Sequence, residues 1–195
     1  MKTHRRSAQT NPRKSAETQN RTAPDSGRGL GPAPGVSCRI GFGNDLHRLV
    51  PGRKLILGGV HIPFDQGPLG HSDGDALAHA VCDALLGAAA LGDIGLHFPD
   101  TSPRWHNAPS LRFLRAVRKL LDRAGLRIVN LDATVSLEKP KLAPYILRMR
   151  ASLAKALGIQ IDQASVKAKS GEGIGEVGRS EAVRAEAVAL LIKEE

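Results

Sequence analysis

Residues 71–90, HSDGDALAHAVCDALLGAAA, decide the fold. Leu77, Val81, Ala84, Leu85 and Ala88 recur at helical spacing, and Ser72 or Asp73 is placed to cap the first turn, so the stretch predicts a helix from Asp73 to Ala90. Asp75, His79 and Asp83 fall at i, i+4 and i+8 and share one face of it. Such a stripe suits the solvated side of an amphipathic helix. The imidazole in its middle is also a common metal ligand.

Working outward, Arg39–His47 (RIGFGNDLH) alternates as a strand with glycine breaks, and Lys54–Leu57 followed by Val60–Ile62 reads as a short hairpin. Downstream, a second helix is expected from Pro109 to Ala124, with Leu111, Leu114, Val117, Leu120 and Leu121 on one side and Gly125 as its stop. Arg127–Leu137 reads as a strand, Ala143–Leu157 as a third helix ended by Gly158, and Ser165–Lys169 as a short strand. Ala182–Ile192 is ambiguous: Ala, Glu and Leu favour helix, yet AVALLI suits a buried strand. Strands interleaved with helices imply an α/β layer architecture, and no internal repeat is present.

At 195 residues the chain has room for one domain with a sizeable core. The formal charge of +9 suggests an anionic partner, but its distribution matters. Residues 1–37 hold seven Lys or Arg against two acids and almost no large apolar side chains; they read as a disordered basic extension, which also fits a transit peptide. The domain proper is expected over 38–195. Aromatics are 3% of the chain, too few for the stacking platforms of a nucleic-acid binder. Two cysteines make no disulfide framework, which favours a reducing compartment, and no apolar run is long enough for a membrane span.

Three groups of residues could carry chemistry. In an extended segment Asp45 and His47 project to the same face. Alone they suit a surface pair; joined by His79 they give two nitrogens and one oxygen, the ligand set of a zinc site with an open fourth position. Gly92–Gly95 with Phe98–Thr101, and Lys167–Gly175, are glycine-rich loops whose backbone N–H groups could cradle phosphates. Neither matches a Walker or dinucleotide fingerprint. Glu172 within the second loop is what a bridging Mg²⁺ would require. Lys139–Pro144 reads alone as a connector.

The order RIGFGNDLH, HSDGD, GDIG, FPDT, KPKL, KAKSGEGIG, running from Arg39 to about Lys193, resembles the 2-C-methyl-D-erythritol 2,4-cyclodiphosphate synthase family. The resemblance implies zinc on Asp45, His47 and His79, with Asp45 and His47 also near the substrate. It implies contacts to the methylerythritol phosphate from His71, Ser72, Asp93, Ile94, Gly95, Phe98, Pro99, Asp100, Thr101 and Ser102, with His71 stabilising the transition state. Leu137, Glu138, Lys139, Pro140, Lys141, Leu142 and Ala143 match a cytosine-holding loop. Lys169, Ser170, Gly171 and Glu172 match a phosphate loop, Ser170 standing at the place of a catalytic Thr and Glu172 at that of the carboxylate for Mg²⁺ or Mn²⁺. Arg179 matches a basic contact, and Glu176 stands where some members have Phe. The implied fold is an αβ sandwich, a mixed sheet covered by helices on one face, in a homotrimer with sheets facing the axis and active sites between subunits; Ala182–Ile192 would then be a strand. The implied reaction releases CMP from a cytidine diphosphate substrate in isoprenoid precursor synthesis, in the bacterial cytoplasm, or in a plastid if the leader is a transit peptide. A zinc phosphohydrolase of a nucleotide-linked substrate is the competing reading; no nucleic-acid or membrane partner is expected.

Overall fold

The structure, a computed structural model, describes residues 36–194. The expected leader lies outside the described residues except for Val36 and Ser37, which open the first strand. Seven strands follow in chain order: β1 (Val36–Pro51), β2 (Leu55–Leu57), β3 (Val60–Ile62), β4 (Gln66–Pro68), β5 (Leu126–Ser136), β6 (Ala164–Lys169) and β7 (Ala182–Glu194). The helices are α1 (Ala76–Ala88), the single turn α2 (Ile94–His97), α3 (Leu111–Arg123), α4 (Ile146–Leu157) and the single turn α5 (Gly175–Gly178).

Five strands form a mixed sheet in the order β4-β1-β7-β5-β6, and β2 and β3 form a separate hairpin. Neighbours are antiparallel except β5 and β6, which run parallel and are joined through α4. Because β7 is antiparallel to both β1 and β5, those two strands run to the same end of the sheet. The end of β1 with His47 and the ends of β5 and β6 therefore emerge together, His47 opposite Val183 and Ser136 opposite Arg184 and Lys169. At about 4.8 Å per strand step they are roughly 10–14 Å apart.

One face of the sheet carries the helices and the core. α1 lies against β1 and β7, and ten of its residues are buried, Leu77, Leu85 and Leu86 completely. A helix that is apolar nearly all round belongs inside a layer, which explains its alanine content. The other face exposes Ile40, Phe42, Leu46 and Val188. No described helix is long and apolar enough to cross a membrane.

Several expectations need correction. β1 runs unbroken through Gly41 and Gly43 and is longer than the predicted strand. A Cβ on Gly41 would lie 1.9 Å from the Ala84 carbonyl oxygen, and one on Gly43 2.2 Å from that of Ala80. These glycines let α1 seat on the strand backbone rather than break it. The cap of α1 is Asp75, not Ser72 or Asp73, and the predicted solvated stripe is largely enclosed: Asp75 is fully buried and His79 and Asp83 partly so. α4 is preceded by one 3₁₀ turn, Ala143–Tyr145. Ala182–Glu194 is a strand, because pairing with β1 on one side and β5 on the other outweighs local helix propensity.

Candidate metal centre and substrate pocket

β1 alternates. Gly41, Gly43, Asp45 and His47 point to the helix side, so the strand that admits α1 closely also presents its two ligands toward it. α1 is held in height and rotation by Asp75. Its Oδ1 accepts from Gly58 N at 2.8 Å and Ala78 N at 3.0 Å, and its Oδ2 accepts from Gly59 N at 2.6 Å, tying the β2–β3 turn to the helix start. Burial, with Asp73 adding to it, pushes Asp75 up to about 6 against the pull of these three donors. One turn on, His79 reaches β1.

The three donor atoms form a small triangle. Asp45 Oδ2 is 2.8 Å from His79 Nδ1 and 3.1 Å from His47 Nε2, and the two nitrogens are 3.2 Å apart. Ligands on a tetrahedral zinc at about 2.0–2.1 Å stand roughly 3.3 Å from one another. The residues thus fit a divalent ion with little movement, and they form the metal-competent cluster found among the described residues. Burial would raise the Asp45 carboxyl, but hydrogen bonds and charge from His47 and His79 hold it well below the usual carboxylate range. Burial would lower His79, yet Asp45, with Asp75 and Asp73 beyond it, raises it.

The outer nitrogen of His79 is also engaged. Nε2 donates to Ser110 Oγ at 2.8 Å, with Ser72 Oγ at 3.1 Å; Ser110 donates its hydroxyl to Asp73 Oδ1 at 2.5 Å and its N–H to Asp73 Oδ2 at 3.0 Å. Since the Ser110 proton goes to Asp73, its oxygen must accept from His79, which leaves the Nδ1 lone pair for a metal. Neither Ser110 nor Asp73 was singled out as a site residue. Ser110 falls within the first turn of the predicted Pro109–Ala124 helix; in the structure it is the residue before α3, and its side chain caps nothing.

The triad opens into a cavity of about 380 Å³ lined by His71, Ser72, Ile94, Gly95, Phe98, Pro99 and Asp100, all among the candidate residues, and by Trp105 and Phe113, which are not. Phe98 stacks on Phe113 with centroids 4.7 Å apart, and Trp105 meets both edge-on. Arg53 fixes the Ser72 carbonyl at 2.9 Å, and His71 Nε2 lies 3.3 Å from the Ser102 carbonyl. Asp93, Thr101 and Ser102 do not line the cavity. Gly92–Gly95 is not an open phosphate cradle: Asp83 takes the Ile94 N–H at 2.8 Å and Asp93 caps α2 through Leu96 N at 2.9 Å.

Two further groups lie elsewhere on the chain. Leu137, Lys141, Leu142, Ala143, Lys169 and Ser170 line a groove of about 190 Å³. Glu138 ties its two loops together by accepting from Gly171 N at 3.0 Å, the Lys139–Pro140 peptide is cis, and Ser170 donates to the exposed Glu172 carboxylate. Glu176 and Arg179 do not join that loop. They line a cavity of about 460 Å³ with Leu46 and Arg48, where Glu176 pairs with Arg184 at 2.7 Å and Arg179 makes two 3.0 Å bonds to Glu181. The α5 turn brings Gly178 back against Gly171, yet the Glu176 and Arg179 side chains line this separate cavity and not the groove. These three cavities share no lining residue.

Residues 38–192 match the YgbB family. The 2-C-methyl-D-erythritol 2,4-cyclodiphosphate synthase of Moorella thermoacetica is 55% identical over 157 residues, 80% of this chain and 96% of that protein. The one from Chlorobaculum tepidum is 56% identical over 153 residues, 78% and 98% of the two chains. A solved structure of such a synthase in its CDP-bound form superposes with a TM-score of 0.73 at 43% identity, covering 78% of this chain and 99% of that one. With an Asp-His-His centre on a strand and helix of this mixed sheet, the chain belongs to the YgbB family, that of the 2-C-methyl-D-erythritol 2,4-cyclodiphosphate synthases.

Proposed function

We propose that the chain converts 4-diphosphocytidyl-2-C-methyl-D-erythritol 2-phosphate into the 2,4-cyclodiphosphate and CMP. An oxygen of the 2-phosphate forms a bond to the β-phosphorus, the bond from that phosphorus to the α-phosphate bridging oxygen breaks, and CMP leaves with the electron pair. The nucleophile is already ionised, so the difficulty is bringing anions together in line, a matter of positioning and charge neutralisation. The carrying observation is the Asp45–His47–His79 triangle at the mouth of a pocket walled by His71, Ser72 and Phe98.

Zinc suits two imidazoles and a carboxylate, and Mg²⁺ or Mn²⁺ suits the single exposed Glu172 completed by substrate oxygens; together they would polarise the reacting phosphates and neutralise the departing CMP. His71 and Ser72 hold the methylerythritol phosphate, and His71 donates to the oxygens on which charge grows. Asp93, Ile94, Gly95, Pro99, Asp100, Thr101 and Ser102 shape the rest of that subsite, while Phe98 with Trp105 and Phe113 limits water. Lys169, Ser170 and Gly171 meet the diphosphate. The backbone of Leu137–Ala143, which includes Glu138, Lys139, Pro140, Lys141 and Leu142, holds the cytosine. Arg179 would reach the phosphates from the adjoining cavity, with Glu176, already paired with Arg184, lining that same cavity.

Three disjoint cavities on one chain, and an exposed apolar sheet face with Ile40, Phe42 and Val188, support a homotrimer whose sheets face its axis. Each active site would then combine the metal pocket of one subunit with the loop groove of its neighbour. A bacterial cytoplasmic setting is the reading the bacterial relatives support, with a plastid as the alternative if residues 1–37 are a transit sequence. Incubation of the cytidyl substrate with enzyme, Zn²⁺ and Mg²⁺, followed by phosphorus NMR, should show a cyclic diphosphate and CMP. Linear monophosphates instead would establish the hydrolytic reading, which the synthase names of the relatives do not support.

A further inference from the structure

A second cleft, of about 520 Å³, lies on the outer side of the aromatic wall. Arg104, Arg112, Arg115, Lys119 and Arg123 line it with Trp105, and no Asp or Glu does. The lone acid of α3, Asp122, is bonded to Arg118 at 2.8 Å and does not line the cleft. Among the described residues no carboxylate comes within ion-pair distance of any of the five lining cations.

Charge bookkeeping makes the concentration plain. From residue 38 onward the sequence holds 21 Lys or Arg against 17 acids, and α3 alone holds five against one. One helix thus accounts for the whole excess of the folded part. Its cations at 112, 115, 119 and 123 follow i+3 and i+4 steps, which stacks like charges along one face; each such pair costs an isolated helix about 0.2–0.5 kcal/mol. A repelling row is poor design for stability and good design for an anion.

We infer that this cleft binds a small oligophosphate, three or more phosphates in a row, beside the substrate pocket. Four of the five cations are arginines, whose planar forks take phosphate oxygens two at a time. Arg115 to Arg123 spans about 12 Å at the helical rise, a reach suited to a short phosphate chain. The volume is that of a small-molecule site. Arg104 already lies 4.5 Å over the Trp105 ring and Arg112 5.8 Å from it, so the cations are ordered around an aromatic surface able to carry a base. Phe98 and Trp105 line both this cleft and the metal pocket, so an occupant touches the wall of the active site.

Trp105 is the single tryptophan and lines both this cleft and the metal pocket, so its fluorescence reports binding and the variants assign it to one or the other. The probe is sodium tripolyphosphate titrated into metal-loaded enzyme at physiological salt. Expected is a saturable change whose affinity falls at least tenfold in the exposed triple variant Arg115→Gln, Lys119→Gln, Arg123→Gln and is unchanged in His79→Ala. Loss of binding in His79→Ala, or full affinity in the triple variant, would overturn the inference by placing the anion on the metal centre or elsewhere. ATP in the same assay separates the two sources of the ligand: tighter binding than tripolyphosphate assigns a nucleotide with its base on Trp105, equal binding assigns the bare phosphate chain. An oligonucleotide that binds where tripolyphosphate does not would refute the small-anion assignment.

Discussion

The metal-binding half of the site and the loop half are built on opposite plans. Around Asp45, His47 and His79 every position is over-determined: a strand backbone touching a helix backbone, a buried carboxylate pinning the helix start, and a Ser110–Asp73 pair orienting the imidazole. Around Lys169–Glu172 the polar groups are largely exposed, tied by the Glu138–Gly171 bond and a Ser170–Glu172 contact. A metal held for the enzyme's lifetime benefits from ligands fixed in advance. A nucleotide that must enter and leave benefits from groups that water can reach. The difference teaches that one chain supplies a preformed metal-competent triad and an open, exposed groove, the one proposed above to hold the nucleotide.

The most severe way to break this contrast is His79→Ala. Turnover should fall by roughly 10³-fold or more, with metal absent by elemental analysis and the circular dichroism spectrum unchanged; a fully metallated variant would contradict the ligand assignment. Next comes Gly43→Ala. Its new Cβ meets the Ala80 carbonyl, so α1 must lift, and zinc affinity measured by chelator competition should drop more than for any side-chain change outside the triad. Ser110→Ala removes the oriented acceptor from His79 Nε2 and should weaken zinc binding about 10–100-fold while stability changes little. Glu172→Gln should leave zinc content intact and lower Mg²⁺-dependent turnover by about tenfold; wild-type kinetics would count against its second-metal role.

The smallest effect is one of pH, and its sign differs between states. In the metal-free protein His79 has a raised pKa, so its pairing with Asp45 stabilises fully below the unfolded value near 6.5 and is lost as pH rises through the folded value. Metal binding needs His79 deprotonated and runs the other way. Zinc affinity should therefore weaken several-fold per pH step as pH falls past the raised value, starting higher than for a free histidine, while urea unfolding of metal-free protein shows slightly greater stability there.

Much of this was legible in the sequence because it is local. The period of Leu77, Val81 and Leu85 identifies α1, and the two-residue spacing of Asp45 and His47 sets both on one face of β1. What was not legible is long-range. Gly41 and Gly43 look like strand breaks until the Ala80–Ala88 side of α1 is known to rest on them. Asp75 looks like part of a wet stripe, because its three N–H partners include Gly58 and Gly59, 17 and 16 residues upstream. Ser110 meets His79 across 31 residues with no local pattern to announce it. Glu176 and Arg179 follow the Lys169–Glu172 loop by only a few residues, and chain proximity cannot foresee that their side chains line a different cavity.

The alternation of β1 has one more consequence. Positions 41, 43, 45 and 47 face α1 and set the metal-competent triad, while Ile40, Phe42 and Leu46 belong to the opposite face. Surface chemistry on that far side can drift without moving the three ligand atoms, since what sets their position is main chain resting on main chain. Descendants of this protein could rewrite that exposed face, proposed above to meet other copies, and inherit the same ligand triangle unaltered.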